Sequence, residues 1–256
     1  MDQDLHLYSK EKIVESYANR KALQPPEQTI YDLLESDLGK MRMLDIGVGA
    51  GRTSYYFAGK TKTYLGIDYS DKMISSCRQK FKEQKGILEF KTLDMRKLKK
   101  FHDNSFDLVL ISFNGIDHLE HNERINTMNE IKRLLSPGAW FCFSTHNLHS
   151  LKELYKFELR WNVFAMMKNF YSFCRFRMSN SVSELMAISD YSIINDGAHD
   201  FSLKICYVNP MQQLDQLRSL GYRNISVYGL RNGKKISSEE ELRTNKDFHL
   251  YYLCQK

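Results

Sequence analysis

The stretch from Met41 to Ala58, reading M-R-M-L-D-I-G-V-G-A-G-R-T-S-Y-Y-F-A, constrains this chain more than any other. A short apolar run (Met43, Leu44, Ile46) fits a buried strand, and Gly47, Gly49 and Gly51 fit a tight turn that lets backbone approach a ligand. A helix should open behind it. A dinucleotide site would need its third glycine three residues after the second, so that helix and strand pack closely over a pyrophosphate. That position is Arg52, which argues against the dehydrogenase form of the turn and leaves D-x-G-x-G-x-G with Asp45 at the strand end.

The following segments supply the walls of a nucleotide-binding α/β sheet. Tyr64 to Asp68 reads as a second strand ending in an acid about 20 residues past the glycines, where a carboxylate can accept hydrogen bonds from ribose hydroxyls. Ser70 is placed to cap a helix that buries Met73, Ile74, Cys77 and Phe81. Ile87 to Thr92 is a third strand, followed by Leu93-Asp94-Met95, and Phe106 to Ser112 is a fourth, running into Phe113-Asn114-Gly115-Ile116-Asp117-His118-Leu119. Parallel sheets bind ligands at the carboxyl ends of their strands, so that last loop is the first place to look for chemistry. A helix with Ile125, Met128, Ile131 and Leu134, the turn Ser136-Pro137-Gly138 and a strand from Ala139 to Ser144 complete the core.

D-I-G-V-G-A-G, G-I-D-Y-S-D-K-M-I, L-D-M and E-I-K-R-L-L-S-P-G, in that order and spacing over roughly Leu44 to Ser144, resemble the motifs of class I S-adenosylmethionine-dependent methyltransferases. The last departs from the usual pattern at Ala139, which lacks a second glycine's freedom at positive φ. The resemblance implies an α/β Rossmann-like doubly wound sheet of seven strands, the last antiparallel, and S-adenosylmethionine as cofactor with S-adenosylhomocysteine as product. It further implies a cofactor site of Asp45, Gly47, Gly49, Gly51, Asp68, Tyr69, Met73, Asp94, Met95, Ser112 and Asn114, with Tyr69 against the adenine and Asp94 on its amino group. The loop lacks the D-P-P-Y and P-C sequences of nucleic-acid enzymes in this family, whereas His118 falls where several small-molecule N-methyltransferases carry a histidine before a leucine. His118 and His146, on neighbouring loops, are the candidate catalytic bases because a near-neutral imidazole suits physiological pH. Asp117, Asn147 and His199 are candidate substrate contacts, and no metal site is expected.

Outside the core, Ser9 to Gln24 fits a helix with Ile13 and Tyr17 inward, ended by Pro25-Pro26. A second helix follows, with Ile30, Leu33, Leu34 and Leu38 on one face. The family likeness makes Tyr17 and Arg20 candidate lid residues. Leu151 to Met178 is helix-compatible and apolar almost all round, with basic residues interleaved, open to reading as a substrate lid or homodimer interface, a core helix, or a nucleic-acid or membrane-surface patch. Tyr191 to Asn195 and Phe201 to Tyr207 suggest a hairpin around Asp196-Gly197. Asn209-Pro210 should open a helix ending at Gly221, and Ile225 to Leu230 and Phe248 to Leu253 are the last two strands.

A single domain is expected: lid helices over 1–40, the cofactor core over 41–147, a helix-plus-hairpin insertion for substrate over 148–209, and a C-terminal helix and strands over 210–256. The five scattered cysteines suggest neither disulfides nor zinc, and no apolar run nears bilayer-spanning length, which points to a reducing, cytoplasmic location. The net charge of +6 permits an anionic partner without demanding one. The reading is a methyltransferase for an N or O nucleophile of a small molecule such as a sugar, lipid head group or natural product. The alternatives are an RNA or protein methyltransferase, and a catalytically inactive partner subunit.

Overall fold

The computed structural model describes residues 8–84, 86–154, 162–181 and 190–256. In chain order they form α1 (Glu11–Ala18), α2 (Pro25–Leu38), β1 (Arg42–Ile46), α3 (Ser54–Phe57), β2 (Thr63–Asp68), α4 (Asp71–Lys80), β3 (Leu88–Thr92) and β4 (Phe106–Ile111). There follow α5 (His121–Leu134), β5 (Leu135–Asn147), α6 (Val163–Ser179), β6 (Tyr191–Ile194), α7 (Ala198–Phe201), β7 (Ile205–Val208), α8 (Pro210–Ser219), β8 (Arg223–Gly229), α9 (Glu239–Thr244) and β9 (His249–Gln255). Local chemistry sets the boundaries. Both prolines open α2, where their missing N–H groups cost nothing, and Asn209 caps α8 by accepting from the Met211 amide. The Ser70 hydroxyl likewise accepts from the Met73 amide at the start of α4.

One mixed sheet carries the molecule. β3, β2, β1, β4 and β5 run parallel in that order, β9 joins β5 antiparallel, and β8 closes the edge antiparallel to β9. This is the expected Rossmann-like sheet with its antiparallel last strand. Two apolar clusters cover its faces, one built on Leu44, Ile46, Phe141 and Phe143, the other on Met43, Tyr64, Leu110 and Tyr251. Alternation along β1 explains the division, since Met43 and Leu44 point to opposite sides.

The remaining two strands extend the sheet to nine. β5 outruns β4, whose last paired residue, Ile111, faces Phe143, and β7 pairs parallel with the overhang at His146 and Asn147. The insertion is thereby held at the carboxyl edge of the sheet, beside the loop that follows β4.

Several expectations are corrected. The N-terminal helix stops at Ala18, well before the prolines, so Arg20 lies on irregular backbone. Leu33 is exposed, because Ile30, Leu34 and Leu38 already fill the inward stripe of α2 at four-residue spacing. Ser136-Pro137-Gly138 lies within β5 rather than before it, in a bulge where the register jumps between the Phe106–Leu135 and Leu108–Trp140 pairs. Leu148–Glu153 is a short 3-10 turn and the described helix begins at Val163, so 151–178 is not one continuous helix; its middle, 155–161, lies outside the described residues. β6 and β7 do form a hairpin, but α7 intervenes in place of a tight turn, with Asp196 accepting from the Ala198 amide at its start.

Candidate active site

A cleft of about 120 Å³ opens at the carboxyl ends of β1, β2 and β4, lined by the turn from Gly47 to Ala50, Asp68, Tyr69, Met73, Asp94, Met95, Ser112, Phe113 and His118. Its floor is the glycine turn. Gly47 and Gly49 adopt φ of +69° and +54°, and a Cβ on Gly47 would meet nothing within 4 Å, leaving bare backbone open toward the cleft. Gly51 does a different job. It does not line the cleft, and a Cβ there would come within 2.6 Å of the Phe81 ring, so this glycine lets α4 pack against the turn. That corrects its expected place among the cofactor contacts.

Asp68 reaches under the turn. Its two oxygens accept the Gly49 amide at 3.0 Å and the Ser70 amide at 2.9 Å, while burial pushes its pKa up to about 6 against the pull of those amides. The Tyr69 amide also bonds to it, yet a carboxylate has about four acceptor positions, so some capacity remains for a ligand's hydroxyls. Asp45, by contrast, is withdrawn from the cleft. It takes hydrogen bonds from Thr53 Oγ1 and Tyr64 Oη, both at 2.5 Å, is 1 % exposed, and has its pKa raised to about 6 by burial. The expectation that it faces the cofactor is corrected: side chains alternate along β1, and this position points into the layer containing Tyr64. Asp94 lines the cleft, but its carboxylate is also gripped by the Arg96 guanidinium and main-chain amide.

The far wall is the loop after β4. Phe113 and Asn114 both have left-handed backbone, φ 52° and 59°, strain that is characteristic of functional loops. The loop is pinned by Asn114, whose amide donates to Ser144 Oγ at 2.8 Å and whose side-chain amide lies 3.3 Å from His146 Nε2. Asn114 is therefore buried behind the wall rather than lining the cleft, against its expected cofactor role. Next in line, Asp117 and His118 diverge within one 3-10 turn: His118 faces the cleft and Asp117 the interior.

The Asp117 carboxylate is saturated. It pairs with Arg124, accepts from Thr145 Oγ1 at 2.6 Å, and takes both the backbone amide and Nδ1 of His146, each at 2.7 Å. Burial raises its pKa, but Arg124, His146 and Thr145 together outweigh burial and leave it below the ordinary value. Asp117 is thus not available to a substrate. Nor is Asn147, which spends its side chain on the Asn245 and Asp247 carbonyls and the His149 amide. His146 is packed among Tyr207, Phe248 and His249 and does not line the cleft, so the two candidate bases are separated: His118 is at the site and His146 is behind it. His199 falls on α7, and its side chain lies outside the described residues.

Sequence reading missed two features of this site. Tyr8 closes the cleft with its ring edge-on to Tyr17, Tyr69 and His118, its hydroxyl 3.3 Å from His118 Nε2. Tyr17 and Arg20, the candidate lid residues, do line the cleft, with the Arg20 guanidinium over the Tyr17 and Phe113 rings. The second is a buried ion pair. Arg52, used above only to argue against a dinucleotide turn, makes two hydrogen bonds to Glu27, of 2.5 and 2.6 Å, and a third to Ser112 Oγ. Tyr251 Oη donates to Glu27 from β9, tying α2, the glycine turn and the β4 loop together. Burial works against the Glu27 charge, yet Arg52, Ser112 and the Gln24 amide hold its pKa below the ordinary value. A capping-box pattern at Gln24–Glu27 was the only local signal, and it does not reveal a partner 25 residues away.

Comparison with known proteins agrees with this geometry. Residues 43–138 match the methyltransferase-domain family. The Bacillus subtilis protein YqeM, named as a methyltransferase, is 33 % identical over 117 residues, 45 % of this chain and 47 % of its own length. The ubiquinone biosynthesis O-methyltransferase of Thiobacillus denitrificans is 29 % identical over 46 % of this chain and 49 % of its own. The chain thus spans about half the length of these curated relatives. Among solved structures, the 1,6-didemethyltoxoflavin-N1-methyltransferase of Burkholderia thailandensis, bound to its substrate and S-adenosylhomocysteine, superposes with a TM-score of 0.64 at 11 % identity, covering 99 % of this chain and 86 % of that one. Residues 43–138 thus match a methyltransferase domain, on a sheet with the fold of solved S-adenosylmethionine-dependent methyltransferases. The cofactor of that family is S-adenosylmethionine, and the residues present fit it: bare glycine backbone, a buried acid with unused acceptor positions, and an apolar wall of Met73, Leu93 and Met95 beside Tyr69.

Proposed function

We propose that this protein transfers the methyl group of S-adenosylmethionine to an oxygen or nitrogen nucleophile of a small molecule. The observation that carries the reading is the cleft that joins the Gly47–Gly49 backbone and Asp68 on one side to His118 on the other. When bound, the sulfonium supplies an electrophilic methyl carbon, and the displacement requires the acceptor atom in line behind it. Asp68 would fix the cofactor's ribose beside the bare glycine backbone, Tyr69 would lie against the base, and the Tyr17–Arg20 segment would close the methionine end. His118 would hold the acceptor and take its proton at Nε2. The phenol of Tyr8 already occupies hydrogen-bonding distance of that nitrogen, which supports an acceptor hydroxyl or amine of similar reach. His146 acts at one remove, through Asn114 and the loop it anchors.

Two measurements test this. Calorimetric titration with S-adenosylmethionine should show binding to the wild type and at least about a tenfold loss in Asp68→Ala, from hydrogen bonds to a charged group; unchanged binding would remove the cofactor assignment. His118→Gln should leave that affinity intact while turnover, read as S-adenosylhomocysteine release against a metabolite library, falls about 10²- to 10⁴-fold, the range for a lost general base. A His118→Gln enzyme with unaltered turnover would assign the histidine to packing.

A further inference from the structure

Five of the ten large hydrophobic side chains that are exposed among the described residues lie on one helix, α6: Phe164, Met167, Phe170, Tyr171 and Met178. Phe164 is 85 % and Met178 86 % exposed. The spacing of 164, 167, 171 and 178 is that of a single helical stripe, with Phe170 on its flank. Scattered exposed hydrophobics need no explanation, but a continuous apolar stripe on a helix does.

The opposite side of α6 is accounted for. Phe176 is 4 % exposed and packs with Leu148, Leu151, Ile194 and Tyr207 of the insertion, a cluster that Tyr8 also touches. The helix is therefore anchored by its inner face to the insertion, while Phe164, Met167, Tyr171 and Met178 of its outer stripe stand exposed among the described residues.

Charge identifies the occupant. The helix sequence VFAMMKNFYSFCRFRMS holds three basic residues and no acidic one. Arg175 stands at one margin of the stripe, over the Phe201 ring, and Arg177 at the other, exposed and over the Phe173 ring. An apolar stripe edged on both sides by cations suits a boundary where apolar chains lie below and phosphate groups beside them. A two-fold partner of the same chain would set this all-basic helix against its own copy, bringing like charges together. A nucleic-acid backbone would need cations along the face itself, where Phe and Met stand. Among the described residues, no helix is long and apolar enough to cross a membrane, which limits α6 to lying along the surface.

We propose that α6 docks this protein on an anionic lipid surface, its apolar stripe inserted at the head-group boundary and Arg175 and Arg177 on lipid phosphates. The inner face then couples docking to the insertion and to Tyr8, so the cleft mouth is held near the membrane, where an amphiphilic acceptor would be met.

The experiment is vesicle co-sedimentation of the full chain. Wild type should pellet with phosphatidylcholine vesicles containing about a third phosphatidylglycerol and remain in solution with phosphatidylcholine alone, the binding weakening as salt screens the charges. Phe164→Asp combined with Met178→Asp should lower the partition coefficient about tenfold or more, from lost insertion and added repulsion, without loss of helical circular dichroism, because both side chains are solvent-exposed. Arg177→Gln should weaken binding severalfold. The proposal is overturned if wild type ignores anionic vesicles, if the double variant pellets as wild type does, or if sedimentation velocity shows a wild-type dimer that the double variant breaks. Because no step depends on S-adenosylmethionine, these results are independent of the cofactor titration.

Discussion

Asp68 and Asp117 sit at the same edge of the sheet, both buried, with 7 % and 1 % of their surface exposed, and their charges are treated in opposite ways. Asp68 receives the main-chain amides of Gly49, Ser70 and Tyr69 and no cation, and burial lifts its pKa to about 6. Asp117 receives Arg124, Thr145 and two groups of His146, and these outweigh burial and lower its pKa. The carboxylate left with unused acceptor positions is the one that lines the cleft, and the saturated one holds the wall behind it. An underpaired buried acid is a cost to the folded chain that a ligand can repay, whereas a fully paired one belongs to the architecture.

That contrast can be broken by experiment. The largest effect should come from Asp117→Asn, which strands Arg124 as a buried charge: a loss of about 3–5 kcal/mol in urea denaturation, the range for removing one partner of a buried pair. A loss under about 1 kcal/mol would show that the network contributes little. Asp68→Asn should do the reverse in the absence of ligand. Removing an underpaired charge should stabilise the protein at pH 7 by about 1–3 kcal/mol, from a native pKa near 6 against about 3.9 unfolded, while S-adenosylmethionine binding is lost.

The smallest effect is in the pH dependence, and its sign differs between the two acids. The raised pKa of Asp68 makes its contribution to stability fully present below about pH 4 and lost as pH rises through about 6. Asp45, also near 6, adds to the same trend, and the Asp68→Asn variant separates the two. Asp117, with its lowered pKa, contributes stability above the ordinary carboxylate range and loses it only as pH falls below that range. Cofactor affinity should therefore decline as pH drops below about 6, up to tenfold per unit, as Asp68 takes up the proton that a ribose hydroxyl must displace. Affinity that is flat from pH 5 to 7 would mean Asp68 is ionised throughout, and the distinction from Asp117 would fall.

The same division marks what could be read without coordinates. Local signals were enough for the core: the apolar run and glycine spacing of 41–58, Ser70 and Asn209 as caps, and the acid closing β2 all depend on neighbours a few residues away. They also located the cleft and, through the loop after β4, His118.

Whether Asp45, Asn114, Asp117 and Asn147 face a ligand or the interior was decided only by packing. Each is a polar residue at the right edge of the sheet, and each side chain is turned inward onto partners that the sequence gives no means of pairing with it, such as Tyr64, His146, Arg124 and Asp247. The Glu27–Arg52–Ser112–Tyr251 network joins four distant segments in the same way. The glycine turn and most strand positions follow from the chain's own text because backbone conformation is governed locally, and the cofactor class follows from the family its motifs resemble. Which acids are left for chemistry depends on contacts between segments far apart in sequence, and only the folded structure brings those segments together.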